Sequence, residues 1–397
     1  MIKKITIHDF KSIRDLEVDL GPVTVFVGRS GTGKSNFVQA IRFLRNLLLN
    51  AGEAVNHEGG WGRLVPADEK RPKTSIEILF SVPGEEDEYE YQLTFGMVEQ
   101  HGLFGSGAAP RLVREQLTLG GKHLFSWVLS GGGFGWEHKP NLTAVSNPTG
   151  NIMLGSFPSL QKVVYAFAAL STGIGYYHLP SSVLDSKAGD QQRNNLWSAI
   201  PGLWDNAGNY RDTMRSIIQD FTRPGIRKSL LASLRAVNPS IASIELDSLT
   251  NPTRAIVGHD VSGRVLELSL EQESDGLRRF YAHLLALYQT PSKLALIFEE
   301  PENAIFPGAL SLLADEFKAA PREHRGQVIL TTHSPGLLDA FGVDDIRVVD
   351  MKEGKTVIGH LAKEQRDAVR DHLLTTGELL TVDQPRIDEP APEEQRT

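Results

Sequence analysis

The sequence predicts an α/β fold: a mixed sheet that carries an antiparallel β subdomain and an inserted helical lobe. Three observations point there. Three short apolar runs, 23–27, 294–298 and 327–331, read as buried central strands, and each ends in a polar or glycine-rich cluster. The residues after the first run switch to helical spacing. Segments between 74 and 129 alternate apolar and polar, as antiparallel strands do.

In chain order, residues 2–8 alternate as a half-buried strand, and 15–20 form a second short one. Phe37, Ile41, Phe43, Leu44, Leu47 and Leu48 set a helix from Lys34 to about Asn50. A polar stretch with Gly and Pro covers roughly 51–73. Strands follow at 74–82, 88–96, 111–119 and 122–129, and Gly131, Gly132, Gly133 and Gly135 read as a flexible connection. Residues 192–236 read as mostly helical, opening with Leu196 and Trp197. Strands are expected at 241–247 and 264–270, helices at 276–288 and 309–319, and a terminal β pair at 346–350 and 356–360. The stretch from Val382 to Thr397, rich in Pro, Glu, Gln and Asp, is expected to be disordered. The resulting division is an N-terminal lobe over 1–180, a helical lobe over 181–240, a C-terminal lobe over 241–380 and a tail over 381–397.

Hydrophobic residues make up 40% and charged residues 23% of the 397, the profile of a globular protein. No apolar run is long enough to cross a bilayer, and the opening MIKKITIHDFKSI lacks the continuous apolar core of a signal peptide. No membrane partner and a cytoplasmic location are expected. Cysteine is absent, so there is no disulfide framework and no thiolate metal site. A net charge of −8 argues against a surface coated in positive charge for nucleic acid, though not against a local basic patch.

Gly28, Arg29, Ser30, Gly31, Thr32, Gly33, Lys34 and Ser35 fit G-x-x-x-x-G-K-[ST], with a buried strand before and a helix after. Glycines let backbone N–H groups turn inward around phosphates, and the following helix directs its positive end at them. Lys34 would pair with the β- and γ-phosphates of ATP, and Ser35 would hold Mg²⁺. The plainer alternative is a glycine-rich turn before a surface lysine. A second apolar strand ends in Glu299-Glu300-Pro301-Glu302. Glu299 would support Mg²⁺ and Glu300 would act as general base, with Glu302 left open for that role. A solvated charge run is the alternative. The third run ends in Thr331-Thr332-His333-Ser334, where His333 could sense the γ-phosphate. Ser334-Pro335 is also a good helix opening.

Together these segments resemble the ABC-type ATPases of the RecF/SMC/OLD branch, predicted AAA-family ATPases. Residues 5–13 resemble the branch's N-terminal strand and adenine-side loop, and Ser35-Asn36-Phe37 continues the phosphate loop as it often does there. Ser274-Asp275-Gly276 resembles the signature motif, Phe298 to Asn303 the Walker B segment, and Thr331 to Pro335 the switch-histidine loop. The resemblance spans residue 1 to about 380 and implies a P-loop NTPase of ABC/SMC-head type. It further implies two copies sandwiching two ATP molecules, with Ser274 and Gly276 of one facing the phosphate loop of the other. Departures are Glu273 where Leu is usual, Glu299 where Asp is usual, and Phe306 where a His commonly precedes Pro307. A Q-loop glutamine cannot be assigned. Coiled-coil heptads are absent, and too little chain follows His333 for a nuclease domain, so any nuclease effector would be a separate protein.

Related ATPases act in DNA repair, chromosome handling and antiphage defence. Arg223, Arg227, Lys228 and Arg235 form one candidate DNA contact; an ordinary solvated helix face is the alternative. Two functions follow: a DNA-associated ATPase switching an effector, or a protein-interaction switch that touches no nucleic acid.

Overall fold

The computed structural model describes residues 1–66, 73–102, 105–130, 133–138, 158–179, 184, 201–223, 225–247 and 254–388. Its centre is a six-stranded sheet ordered β16-β15-β3-β14-β13-β9. The strands are β3 (Val23–Val27), β9 (Ile174–Tyr177), β13 (Ala295–Glu299), β14 (Gln327–Thr331), β15 (Ile346–Lys352) and β16 (Lys355–His360). All pair in parallel except the β15–β16 hairpin. The three runs picked out by their apolar residues are buried along nearly their whole length, because both faces are covered. Val25, Phe298 and Leu330 join the core beneath α7 (Asp275–Tyr288) and α8 (Pro307–Arg322). Phe26, Ile297 and Ile329 join the core beneath α1 (Lys34–Leu49) and α4 (Pro158–Ser171). Alternation along each strand thus divides the protein into two cores.

The antiparallel subdomain is a seven-stranded sheet ordered β2-β1-β4-β5-β6-β7-β8. It uses β1 (Ile2–Phe10), β2 (Ile13–Asp19), β4 (Lys73–Phe80), β5 (Tyr89–Gly102), β6 (Gly105–Leu119), β7 (Lys122–Ser130) and β8 (Gly133–His138). The flexible connection expected at 131–135 is corrected here. Gly133 and Gly135 belong to β8 and pair with Ser130 and Val128, while Gly131 and Gly132 lie outside the described residues. The polar stretch after α1 contains α2 (Ala51–His57) and α3 (Trp61–Leu64), with Asn50 capping α2 through Glu53 N. Each is too short to display an amphipathic period.

The helical region is shorter than expected. It contains α5 (Tyr210–Ile218) and α6 (Ile226–Val237), while 201–209 is turn and 192–200, with Leu196 and Trp197, lies outside the described residues. A three-stranded sheet follows, with β11 (Arg254–Val261) between β10 (Ile241–Asp247) and β12 (Arg264–Ser269). The short helix α9 (Pro335–Leu338) follows β14, and α10 (Lys363–Arg370) follows β16. The disorder expected from Val382 does not begin there. Gln365, buried on α10, donates to the backbone oxygens of Asp383 and Gln384 and accepts from Arg386 N, and Ile387 bridges Leu361. Composition missed this because one buried glutamine supplies three backbone hydrogen bonds. Residues 389–397 lie outside the described residues.

Arg45 of α1 is fully buried and binds Asp205 with both terminal nitrogens, at 2.8 Å each, tying α1 to the 201–209 turn. Removing one partner of such a pair leaves a buried charge uncompensated. Asp205→Ala should therefore cost about 3–5 kcal/mol, measured as a lowered midpoint in urea unfolding. A loss below about 1 kcal/mol, the usual range for exposed pairs, would contradict this assignment.

Candidate functional site

The phosphate loop is shaped by close approach. A Cβ on Gly28 would lie 2.1 Å from Val349 O, and one on Gly33 would lie 2.0 Å from Thr356 Oγ1. Gly33 also has φ +102, so glycine is required there on two counts. Thr356, buried on β16, donates to Thr32 O at 3.0 Å and contacts Ser12 Oγ at 2.6 Å. Asn36 Nδ2 donates to the same Ser12 hydroxyl at 2.7 Å. The β1–β2 turn and β16 therefore clamp the loop and the start of α1. Lys34 Nζ sits on Gly28 O and Arg29 O, at 2.7 and 2.8 Å. Burial lowers its pKa to about 8, opposed by the nearby carboxylates of Glu300 and Glu302. Arg29, Ser30, Gly31 and Ser35 are exposed.

The other two strand ends meet this loop. Thr332 N donates to Phe26 O at the end of β3, and Glu300 N donates to Thr331 O at 3.1 Å. Glu300 has φ +47 and Ala304 φ +59. Two non-glycine residues in the left-handed region of one turn mark a strained segment held by its surroundings. Glu300 Oε2 accepts from Asn303 Nδ2 at 2.9 Å, and its Oε1 lies 3.7 Å from His333 Nε2. Glu302 is engaged differently. Its Oε1 accepts from Thr332 Oγ1 and His333 N, both at 2.8 Å, and so fixes the histidine loop. Burial and then Lys34 hold the His333 pKa below its ordinary value, with the two carboxylates opposing, so the imidazole is neutral at pH 7. Glu299, at the tip of β13, accepts from the Tyr176 hydroxyl.

These groups fit a Mg-nucleotide. Ser35 and the carboxylates are hard oxygen donors, which Mg²⁺ prefers, and such sites complete the shell with phosphates and water rather than a protein cage. Ser274 caps α7 by accepting from Leu277 N, and a Cβ on Gly276 would lie 2.9 Å from Ala304 O. The start of α7 therefore packs on the turn that follows Glu300. Glu273, where the resemblance has Leu, is nearly buried and bonded to His259 Nε2 at 2.7 Å, which is how a carboxylate is tolerated there. Ser12 falls in the 5–13 segment singled out in the sequence, but its bonds to Thr356 and Asn36 could not be read there. Thr356, Tyr176 and His178 were missed, because they reach the site through side-chain contacts with residues distant in the chain.

A family described as "AAA domain, putative AbiEii toxin, Type IV TA system" matches residues 192–339, and one described as "AAA ATPase domain" matches residues 1–93. A stretch of 47 residues is 47% identical to a DNA replication and repair protein RecF of Nocardioides sp.; it covers 12% of this chain and only 11% of that protein. A solved SMC head bound to the C-winged helix domain of ScpA superposes with TM-score 0.53 at 17% identity, covering 92% of this chain and 99% of that one. The Pyrococcus furiosus Smc head domain, bound to the C-terminal domain of ScpA, gives TM-score 0.53 at 14% identity, covering 94% and 99%. The fold is that of the P-loop, SMC-head type. In sequence the chain is similar to AAA ATPase domains over residues 1–93 and 192–339, and to RecF over one short stretch. Among the described residues, no helix is long and apolar enough to cross a membrane.

Bound phosphates favour protonated Lys34, whereas the free site holds its pKa at about 8. ATP binding above that pH must take up a proton. Affinity should be level from pH 6.5 to 7.5 and weaken by up to about tenfold per unit above pH 8, and Lys34→Arg should flatten the slope. Calorimetric titrations across this range check it; an equal slope in both proteins would rule Lys34 out as its source.

Proposed function

We propose that this chain binds and hydrolyses Mg-ATP, and that ATP-dependent pairing of two copies drives a DNA-associated process, repair or antiphage defence, by switching a separate effector such as a nuclease. The observation that carries this reading is the convergence of Lys34, Glu300, Glu302 and His333 at the ends of β3, β13 and β14. In it, the backbone of Gly28 to Asn36 cradles the phosphates, and Lys34 neutralises them. Ser35 and Glu299 would hold Mg²⁺, which supplies further charge neutralisation on the phosphates.

Glu300 takes the proton of the attacking water. It is the better base of the two glutamates because Glu302 Oε1 is committed to Thr332 and His333, while Glu300 is part-exposed beside Lys34 and His333. Glu302 then acts as a positioning residue for the switch loop. His333 reports the γ-phosphate. Ser274 and Gly276 face the second copy. Phe306, 72% exposed beside Gly276, supports an interface on this edge.

The RecF likeness supports a DNA-associated role. The heads solved with ScpA domains support a protein partner. One observation favours the second reading, a protein-interaction switch without nucleic acid. Arg223 is engaged by Asp220 and Gln289 O, Arg235 by Ile241 O and Ala242 O, and Arg227 lies 3.5 Å from Glu245. Of the four basic residues proposed for DNA, three are thus occupied within the chain.

Glu300→Gln should lower ATP turnover about 10²-fold or more and accumulate an ATP-dependent dimer in light scattering. Stimulation of wild type by duplex DNA would favour the DNA-associated reading, and none the protein switch. Normal turnover in Glu300→Gln without dimers would remove both the base and the sandwich.

A further inference from the structure

The strand β9 enters the site although no motif marks it. It lies at the sheet edge, parallel to β13, with Tyr176 opposite Ile297 and Tyr177 opposite Phe298. Continuing that register brings His178 beside Glu299. Both contacts fall on one oxygen. Glu299 Oε2 accepts from the Tyr176 hydroxyl and lies 3.6 Å from His178 Nδ1. The Glu299 side chain is only 8% exposed, and Tyr176 is 2% exposed.

Tyr176 is itself fixed from behind. The Arg42 guanidinium of α1 lies over its ring, 4.8 Å from the centroid. Arg42 pairs with Glu58 at 2.5 Å, and Glu58 also pairs with Lys11 of the β1–β2 turn at 2.8 Å. Glu58 is buried, which would raise its pKa, yet His57, Arg42 and Lys11 hold it down to about 2, so the anion persists. A continuous line of contacts runs from Lys11 through Glu58, Arg42 and Tyr176 to Glu299.

This line explains a departure noted in the sequence. Glutamate is one methylene longer than the usual aspartate and has one more rotatable bond to fix. A free glutamate would spread its carboxylate over several rotamers. A buried donor on Oε2 selects one of them and would leave Oε1 for a cation.

Resting on the Mg-ATP reading above, we infer that Tyr176 and His178 are positioning residues that hold Glu299 for the divalent cation of the nucleotide. The test uses the full chain with a non-hydrolysable ATP analogue. Mn²⁺ affinity is titrated by electron paramagnetic resonance, and analogue affinity is measured separately without metal. Tyr176→Phe should weaken Mn²⁺ binding about tenfold and leave metal-free analogue binding unchanged. Glu299→Asp cannot reach Tyr176, so Tyr176→Phe added to it should change Mn²⁺ affinity less than about twofold. His178→Ala, at a 63% exposed side chain that leaves the core intact, should weaken Mn²⁺ binding a few-fold even if Tyr176→Phe folds poorly. Unchanged Mn²⁺ affinity in the single variants, or full additivity in the double, would overturn the inference alone. Failure of wild type to bind the analogue with Mn²⁺ would overturn the nucleotide reading on which it rests.

Discussion

The site depends first on how tightly β15 and β16 press on the phosphate loop. At Gly28 the neighbouring backbone oxygen of Val349 leaves no room for a Cβ, and at Gly33 the Thr356 hydroxyl leaves none. The loop is therefore a moulded surface rather than a flexible one. Its glycines allow the approach, and the approach in turn fixes where the backbone N–H groups and the start of α1 point. The same Thr356 hydroxyl reaches Thr32 O and Ser12. One buried side chain thereby joins the first and last strands of the ATPase core to the nucleotide site.

The carboxylate turn is built by the opposite means. The loop gains its shape from missing side chains, whereas this turn holds two non-glycine residues at positive φ. Such strain persists only where the surroundings determine it. Here the surroundings are the Thr331 carbonyl, the Asn303 amide and the grip of Glu302 on the histidine loop. Division of labour follows. Glu299 is held inward by β9, Glu300 is left part-exposed beside Lys34, and Glu302 is consumed in tying β13 to β14. Three acids within four residues thus acquire three environments, as the separate metal, base and structural roles proposed for them require.

Much of this was legible in the sequence. The three central strands announced themselves because burial on both faces demands uninterrupted apolar residues, as in Leu296-Ile297-Phe298. The phosphate loop was legible because its chemistry requires fixed spacing. What stayed hidden acts through tertiary contact. β11 escaped notice because Gly258 and His259 interrupt its alternation, and the single buried Gln365 that orders residues 383–386 has no local signature. Glu302 could not be separated from Glu300 because their difference lies in partners some thirty positions away, Thr332 and His333. β9 was silent because four residues carry too little pattern to distinguish a strand from its surroundings.

The most direct measurement of the central claim, that a complete site needs two copies, is ATP turnover in a mixture of Lys34→Ala and Ser274→Arg chains. Each variant alone should be inactive, one lacking the phosphate loop lysine and the other the facing serine. In an equal mixture half the pairs are mixed, and each mixed pair has one intact site of two, so about a quarter of wild-type turnover should return. No recovery on mixing, or full activity of Ser274→Arg alone, would contradict the account.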